Sequence, residues 1–311
     1  MNKSNLRDVV GEHMVTLGKS NEKVIVVNAD LSGTCRTRDF VSAFPNRSFN
    51  VGIAEQNLVS FSAGLACEDF IPYVFSMAPF LTMRACEQCR TDVAYGNRPV
   101  RLLGCYAGVS GGISGATHWA IEDVGIMTSI PNMVVMELSD PIQTRKLMDL
   151  SVKFDGPLYF RYGVNPVDCL YDDNTEFEIG GSKTVLEGDD GAFICSGALV
   201  QTALKASNEL YVDKKLNIRV IDMYSIKPLD RVSVMSAAKT GNVVVAQDHN
   251  IYGSLGQLVG CVIAEEGIQT KLSILGINDK FVPMAHSQFL YKQFALDVKG
   301  LKMAMLNLIR G

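Results

Sequence analysis

Short apolar, β-branched runs alternate with segments of helical period along most of this 311-residue chain. The runs Val24–Asn28, Ile71–Phe75, Val100–Cys105, Met133–Glu137 and Leu158–Phe160 are separated by helical patterns at Leu6–Leu17, Gln56–Asp69, Thr82–Val93 and Pro141–Val152. A strand that is apolar on both sides must be covered on both faces, and parallel sheets achieve this with crossover helices. Residues 1–165 therefore predict one doubly wound α/β domain. The pattern breaks at Tyr162–Phe177, which is rich in Asp, Asn and Pro and has no apolar period, as expected of a connection between domains.

A second series follows. After a short β excursion over 178–188 and a turn at Gly188-Asp189-Asp190-Gly191, it runs through Ala192–Cys195, a helix at Val200–Tyr211, Ile218–Asp222, Asn242–Ala246, a helix at Ser254–Glu266 and Lys271–Leu275, closing with a helix at Leu301–Ile309. The expected organisation is two doubly wound α/β domains with mainly parallel sheets, residues 1–165 and 181–311, joined by a linker at 166–180. Hydrophobic residues at 47% supply two cores, and charged residues at 20% argue against disorder.

The net charge of -4, with no polybasic block, disfavours nucleic acid or an anionic membrane as partner. No apolar stretch approaches the ~18 residues of a bilayer span, and the first residues carry charges where a secretion signal needs its apolar core. The expected location is the cytoplasm. Eight cysteines without regular spacing do not make a disulfide framework. Cys86 and Cys89 form one CxxC inside a predicted helix, where a structural zinc site would want a second pair, so no metal site is expected in this chain.

Self-contained catalytic machinery is missing: there is no GxxxxGK[ST], no GxGxxG opening a helix after the first strand, and no GxSxG elbow. Three loops stand out instead, each just past a predicted strand, on the edge where open parallel sheets bind ligands. They are Asn28–Thr34, Asn50–Gln56 and Tyr106–His118. Taken locally, Glu55 is an acidic first-turn residue favoured by the helix dipole. The third loop's glycines suit close approach of backbone to a ligand or a mobile surface loop. His118 by itself reads as a hydrogen-bonded structural histidine.

The segment FNVGIAEQNLVSFSAGLA at 49–66 closely resembles the helix-opening motif of the transketolase and deoxyxylulose-phosphate synthase family. NADLSGT, GATHWAIEDVGIMTSIPNM, VIDMYSIKPLD and QDHNIYGSLG resemble further family segments, in the family's order. The resemblance implies a thiamine-diphosphate pyrimidine-binding domain followed by a transketolase C-terminal domain. It does not extend to the family's diphosphate-binding domain, whose hallmark is GDG followed later by Asn. The GDDG at 188–191 lies in the wrong domain for that role.

A split transketolase is therefore implied. This chain would work with a separate N-terminal subunit holding Mg2+ and the diphosphate, in an α2β2 tetramer. The resemblance assigns Glu55 to the cofactor's aminopyrimidine, where a buried carboxyl group hydrogen-bonded to N1′ favours the imino form that takes up the C2 proton. It assigns Phe80, with Phe75 as second choice, to the ring-stacking platform, and Asp30 to a position near the cofactor. His118 would face the donor sugar and help move protons. Arg161 would bind a sugar phosphate through its planar fork, with Arg7 and Thr34 as further phosphate contacts.

Two positions depart from the family pattern: Ser114 stands where many transketolases have an aspartate, and Tyr106 where many have a histidine. Both touch sugar recognition. Xylulose and ribose phosphates of pentose phosphate metabolism are the default substrates, and a branched or sulfonated sugar fits the departures equally well. Rival readings are a deoxyxylulose-phosphate-synthase-like enzyme, the β subunit of a 2-oxo-acid dehydrogenase, and a non-catalytic regulator that binds a partner.

Overall fold

The computed structural model describes residues 3–281 and 283–310. The first sheet contains β1 (Val24–Asn28), β2 (Ser48–Asn50), β3 (Ile71–Met77), β4 (Arg101–Cys105), β5 (Val134–Glu137) and β6 (Leu158–Tyr162). The second contains β7 (Lys183–Leu186), β8 (Gly191–Cys195), β9 (Ile218–Asp222), β11 (Asn242–Asn250) and β12 (Lys271–Ile277). The remaining strand, β10 (Ser225–Lys227), follows β9 in the chain but leaves its sheet. It pairs antiparallel with β5, giving a seven-stranded order β10-β5-β6-β4-β3-β1-β2 beside the five-stranded β12-β11-β8-β9-β7.

The pairings among β1 to β6 are parallel, and every residue of β1, β4, β5 and β6 is buried, as the continuous apolar runs predict. In the second sheet only β7, on the edge, runs antiparallel. The apolar pattern assigns the chain beyond 181 to its own domain. The structure adds that its three-residue β10, too short to show a period, completes the edge of the first sheet.

Helices start where local chemistry provides caps. Asn5 accepts from the Arg7 N–H to open Leu6–Ser20, and Asp140 accepts from Ile142 and Gln143 before Pro141–Lys153, with proline in the first turn. The helix expected over Thr82–Val93 is irregular. Widened π-helical turns at Phe80–Arg84 and Cys89–Ala94 flank a single α-helical turn at Cys86–Gln88, an interruption common beside functional sites. All eight cysteines are free thiols. No described helix is long and apolar enough to cross a membrane, and the described residues hold no cluster of three or more metal-ligating side chains.

Candidate active site

The carboxyl ends of β1, β2 and β4 deliver the three loops, and that of β3 the Phe80 segment, to one edge of the first sheet, where a parallel sheet offers backbone groups and helix N-termini to a ligand. β2 runs through Gly52, at φ +76°, into the helix Glu55–Cys67. That left-handed turn suits glycine and sets Glu55 in the first helical turn. Glu55 is 2% exposed, and its Oε2 accepts from Arg84 Nη1 at 2.6 Å. Arg84, half-exposed, lies over the Phe80 ring with its Cζ 4.2 Å from the centroid. His118 also packs on Phe80, edge to face at 5.4 Å between centroids. The structure therefore brings Glu55, Phe80 and His118 together. An aminopyrimidine needs an aromatic face and a carboxyl partner for its ring nitrogen, and these residues fit it, since a planar nitrogen-rich group from the chain itself already spans the two.

Asp30, two residues past the end of β1, adopts φ +60°. Its N–H donates to Asn50 Oδ1 at 2.9 Å, and its Oδ1 accepts from Asn50 Nδ2 at 3.2 Å. Asn50 Oδ1 also accepts from the Gly52 N–H at 3.0 Å, so one amide ties the Asp30 loop to the turn that presents Glu55. Arg7, Thr34 and Tyr106 also meet: Arg7 Nη1 donates to the Thr34 carbonyl at 3.3 Å, and its Cζ lies 5.5 Å from the Tyr106 ring centroid. Arg7 Nε is buried without a hydrogen-bond partner among the described residues, leaving a donor for an anion. Ser114 sits in a one-turn 3-10 helix of the glycine loop, four residues before His118.

Two expectations are corrected. Phe75 is wholly buried among Val26, Tyr73 and Leu103, because alternation along β3 turns it into the core on the side away from Val74. It cannot offer a face to a cofactor. Arg161 is also wholly buried. Its Nε donates to Asp123 Oδ2 at 2.7 Å, its Nη2 donates to the Asp248 carbonyl at 3.1 Å, and its Nη1 makes a 2.7 Å charge contact with Glu137 Oε2 outside hydrogen-bond alignment. Burial pulls its pKa down, and the Asp123 and Glu137 carboxylates more than offset that, holding the guanidinium charged. With its fork committed to the interior, Arg161 cannot reach a sugar phosphate.

The descriptions of known domains agree with this arrangement. The transketolase pyrimidine binding domain matches residues 2–166, and the transketolase C-terminal domain matches residues 180–301. The chain belongs to the transketolase family. Transketolase-family relatives include a 6-deoxy-6-sulfo-D-fructose transketolase subunit of Clostridium sp. (31% identical over 94% of this chain and 91% of that one) and an apulose-4-phosphate transketolase subunit of Phocaeicola vulgatus (33% over 96% and 95%). A solved structure described as a split gene transketolase, inactive beta4 tetramer, superposes with a TM-score of 0.89 at 33% identity, covering 99% of both chains.

Three residues of this transketolase-family site escape sequence reasoning. Asn50, inside the recognised motif, is a loop tie rather than a reactive group. Arg84 lies in a segment that reads as ordinary helix, though its spacing of four from Phe80 is visible. Asp248 comes from the second domain: its Oδ1 accepts from the Val109 N–H at 2.9 Å and its Oδ2 from the Tyr291 hydroxyl at 2.8 Å. A Cβ on Gly108, at φ +59°, would lie 2.0 Å from Asp248 Cγ, so the glycine permits the carboxyl to support the loop that carries His118. Burial pushes the Asp248 carboxyl up to about 7, the Val109 and Tyr291 hydrogen bonds only partly countering it.

Proposed function

We propose that this chain is the C-terminal subunit of a two-subunit, thiamine-diphosphate-dependent transketolase that moves a two-carbon ketol unit from a ketose phosphate to an aldose acceptor. The observation that carries the reading is the buried Glu55 carboxyl, bridged by Arg84 to the Phe80 ring at the carboxyl edge of the first sheet. Thiamine diphosphate, when bound, supplies the nucleophilic carbon for breaking and remaking a carbon–carbon bond. Glu55 shares the proton at the pyrimidine N1′, with water kept away by its burial. Phe80 offers the apolar face, and Asp30, tied to the Glu55 turn through Asn50, lies near the cofactor. His118, partly exposed beside Phe80, moves protons at the sugar's hydroxyls. Tyr106 and Ser114 contact the sugar, while Arg7, with Thr34, takes its phosphate.

Mg2+ and the diphosphate are assigned to a separate N-terminal subunit, in an α2β2 assembly working in the cytoplasm. Support comes from relatives named as subunits that match over nearly their whole length, and from the beta-only tetramer described as inactive. Relatives named for 6-deoxy-6-sulfo-D-fructose and for apulose 4-phosphate support testing donors beyond the default pentose phosphates. The test is to assemble the chain with its partner subunit and offer xylulose 5-phosphate, 6-deoxy-6-sulfofructose and apulose 4-phosphate as ketol donors. Transfer from at least one, lost in Glu55→Gln, is expected. Equal transfer by Glu55→Gln and wild type would overturn the assignment.

A further inference from the structure

Arg84 makes both contacts that the proposed function assigns to the cofactor's pyrimidine. It donates to Glu55 Oε2 at 2.6 Å and covers the Phe80 ring at 4.2 Å. A guanidinium is flat, carries N–H donors in its plane and stacks on aromatic faces. An aminopyrimidine has the same three properties, so the two groups compete for the same space and the same acceptor. The two ends of the pair differ in freedom: the Glu55 side chain is 2% exposed and the Arg84 side chain 48%. The acid is fixed, and the arginine has an open path to solvent.

A reason for the contact follows from burial. A buried carboxylate without a partner is costly, and removing one member of a buried pair leaves that cost exposed. A site that keeps Glu55 buried while empty needs a temporary partner. The π-helical turn Phe80–Arg84 supplies one by bringing Arg84 back over Phe80.

We propose that Arg84 is the placeholder of the pyrimidine subsite. In the cofactor-free protein, alone or assembled, its guanidinium holds Glu55 paired and Phe80 covered, and it swings outward as the cofactor enters. The inference rests on the reading of Glu55 and Phe80 given above. Cofactor must therefore bind a state in which the arginine has let go, and its apparent affinity is lowered by that fraction.

The test is a calorimetric titration of thiamine diphosphate with Mg2+ into the complete, cofactor-free complex of this chain with its partner subunit. Arg84→Met, which keeps the stem and removes the planar cation, is expected to bind about tenfold tighter than wild type. Arg84→Lys, which keeps charge without the flat face, is expected to fall between them. An Arg84→Met affinity equal to or weaker than wild type overturns the placeholder role and makes Arg84 a support of the loaded site. Glu55→Gln, run alongside, separates the two ideas. If it binds and turns over like wild type, the reading of Glu55 fails. If it loses turnover while Arg84→Met gains no affinity, only the placeholder fails.

Discussion

Two arginine–carboxylate pairs of nearly identical length serve opposite ends in this molecule. At the sheet edge, Glu55 and Arg84 meet at 2.6 Å with the arginine half in solvent. At the junction of the two domains, Arg161 meets Asp123 and Glu137 at 2.7 Å with all three side chains sealed from water. The junction carries several further partners: Tyr159 donates to Asp123, while Ser196 and Gln247 of the second domain donate to Glu137. His249 donates from Nδ1 to the Asn250 carbonyl and accepts the Val124 N–H at Nε2, and burial lowers its pKa, so it stays neutral. A buried charge network with several partners for each charge fixes geometry, whereas a pair open on one side can be exchanged for a ligand. Contact distance alone does not distinguish a lock from a latch. Exposure and the number of competing partners do.

The comparison can be broken most severely at Glu55. Glu55→Gln in the assembled enzyme is expected to lower ketol transfer by at least about a hundredfold, while size-exclusion chromatography shows assembly unchanged. Arg161→Met should do the reverse. It strands Asp123 and Glu137, costs about 3–5 kcal/mol in denaturant unfolding, and impairs activity only through lost structure. If Arg161→Met unfolds like wild type and instead raises the KM for a sugar phosphate, the lock assignment is wrong.

The two phenylalanines sharpen the same contrast. Phe75→Ala removes a wholly buried ring and should cost about 3 kcal/mol of stability. Phe80→Ala, partly exposed, should leave the unfolding midpoint nearly unchanged and weaken cofactor binding about tenfold. Circular dichroism melts and calorimetry on the pair of variants distinguish these outcomes.

The smallest effect concerns pH. Asp248 titrates near 7 in the folded chain and near the ordinary ~3.9 when unfolded. The folded form thus keeps a proton that the unfolded form loses, so this group's contribution to stability falls as pH rises from ~4 to ~7 and is level above. Asp222, also pushed up to about 7 by burial, has the same sign and remains in the variant. Asp248→Asn should therefore flatten the decline of melting temperature over that window by a few degrees. An unchanged slope would show that Asp248 is already ionised beneath the glycine loop.

How much of this was legible beforehand follows from physical cause. The central strands of both sheets announced themselves because residues such as Val24–Asn28 and Gly191–Cys195 are buried on both faces and leave continuous apolar runs, whereas the short, half-exposed β2 left none. β10 was invisible because three residues have no period and its partner, β5, lies about ninety residues upstream. Glu55, Phe80 and His118 were named through the family resemblance of three separate segments, and the structure places them near one another, through Arg84 in the case of Glu55. Phe75 and Arg161 were misjudged because a strand's period of two decides which side chains turn inward, and neither residue's type reveals it. Arg161 pairs across the sheet with Gly104 and Glu137, which leaves room for a long side chain to fold into the interior. Asp248 was out of reach because its role depends on a second domain folding onto the loop, a contact spanning 139 residues of sequence.

The proposed function requires Glu55 and Phe80 to form half of a cofactor site whose other half belongs to another polypeptide. The direct measurement is ketol transfer with thiamine diphosphate and Mg2+ by this chain alone, by the partner subunit alone, and by the two mixed. Turnover only in the mixture, saturating near equal molar amounts, is the predicted result. Turnover by this chain unaccompanied, at a rate the partner does not raise, would contradict it.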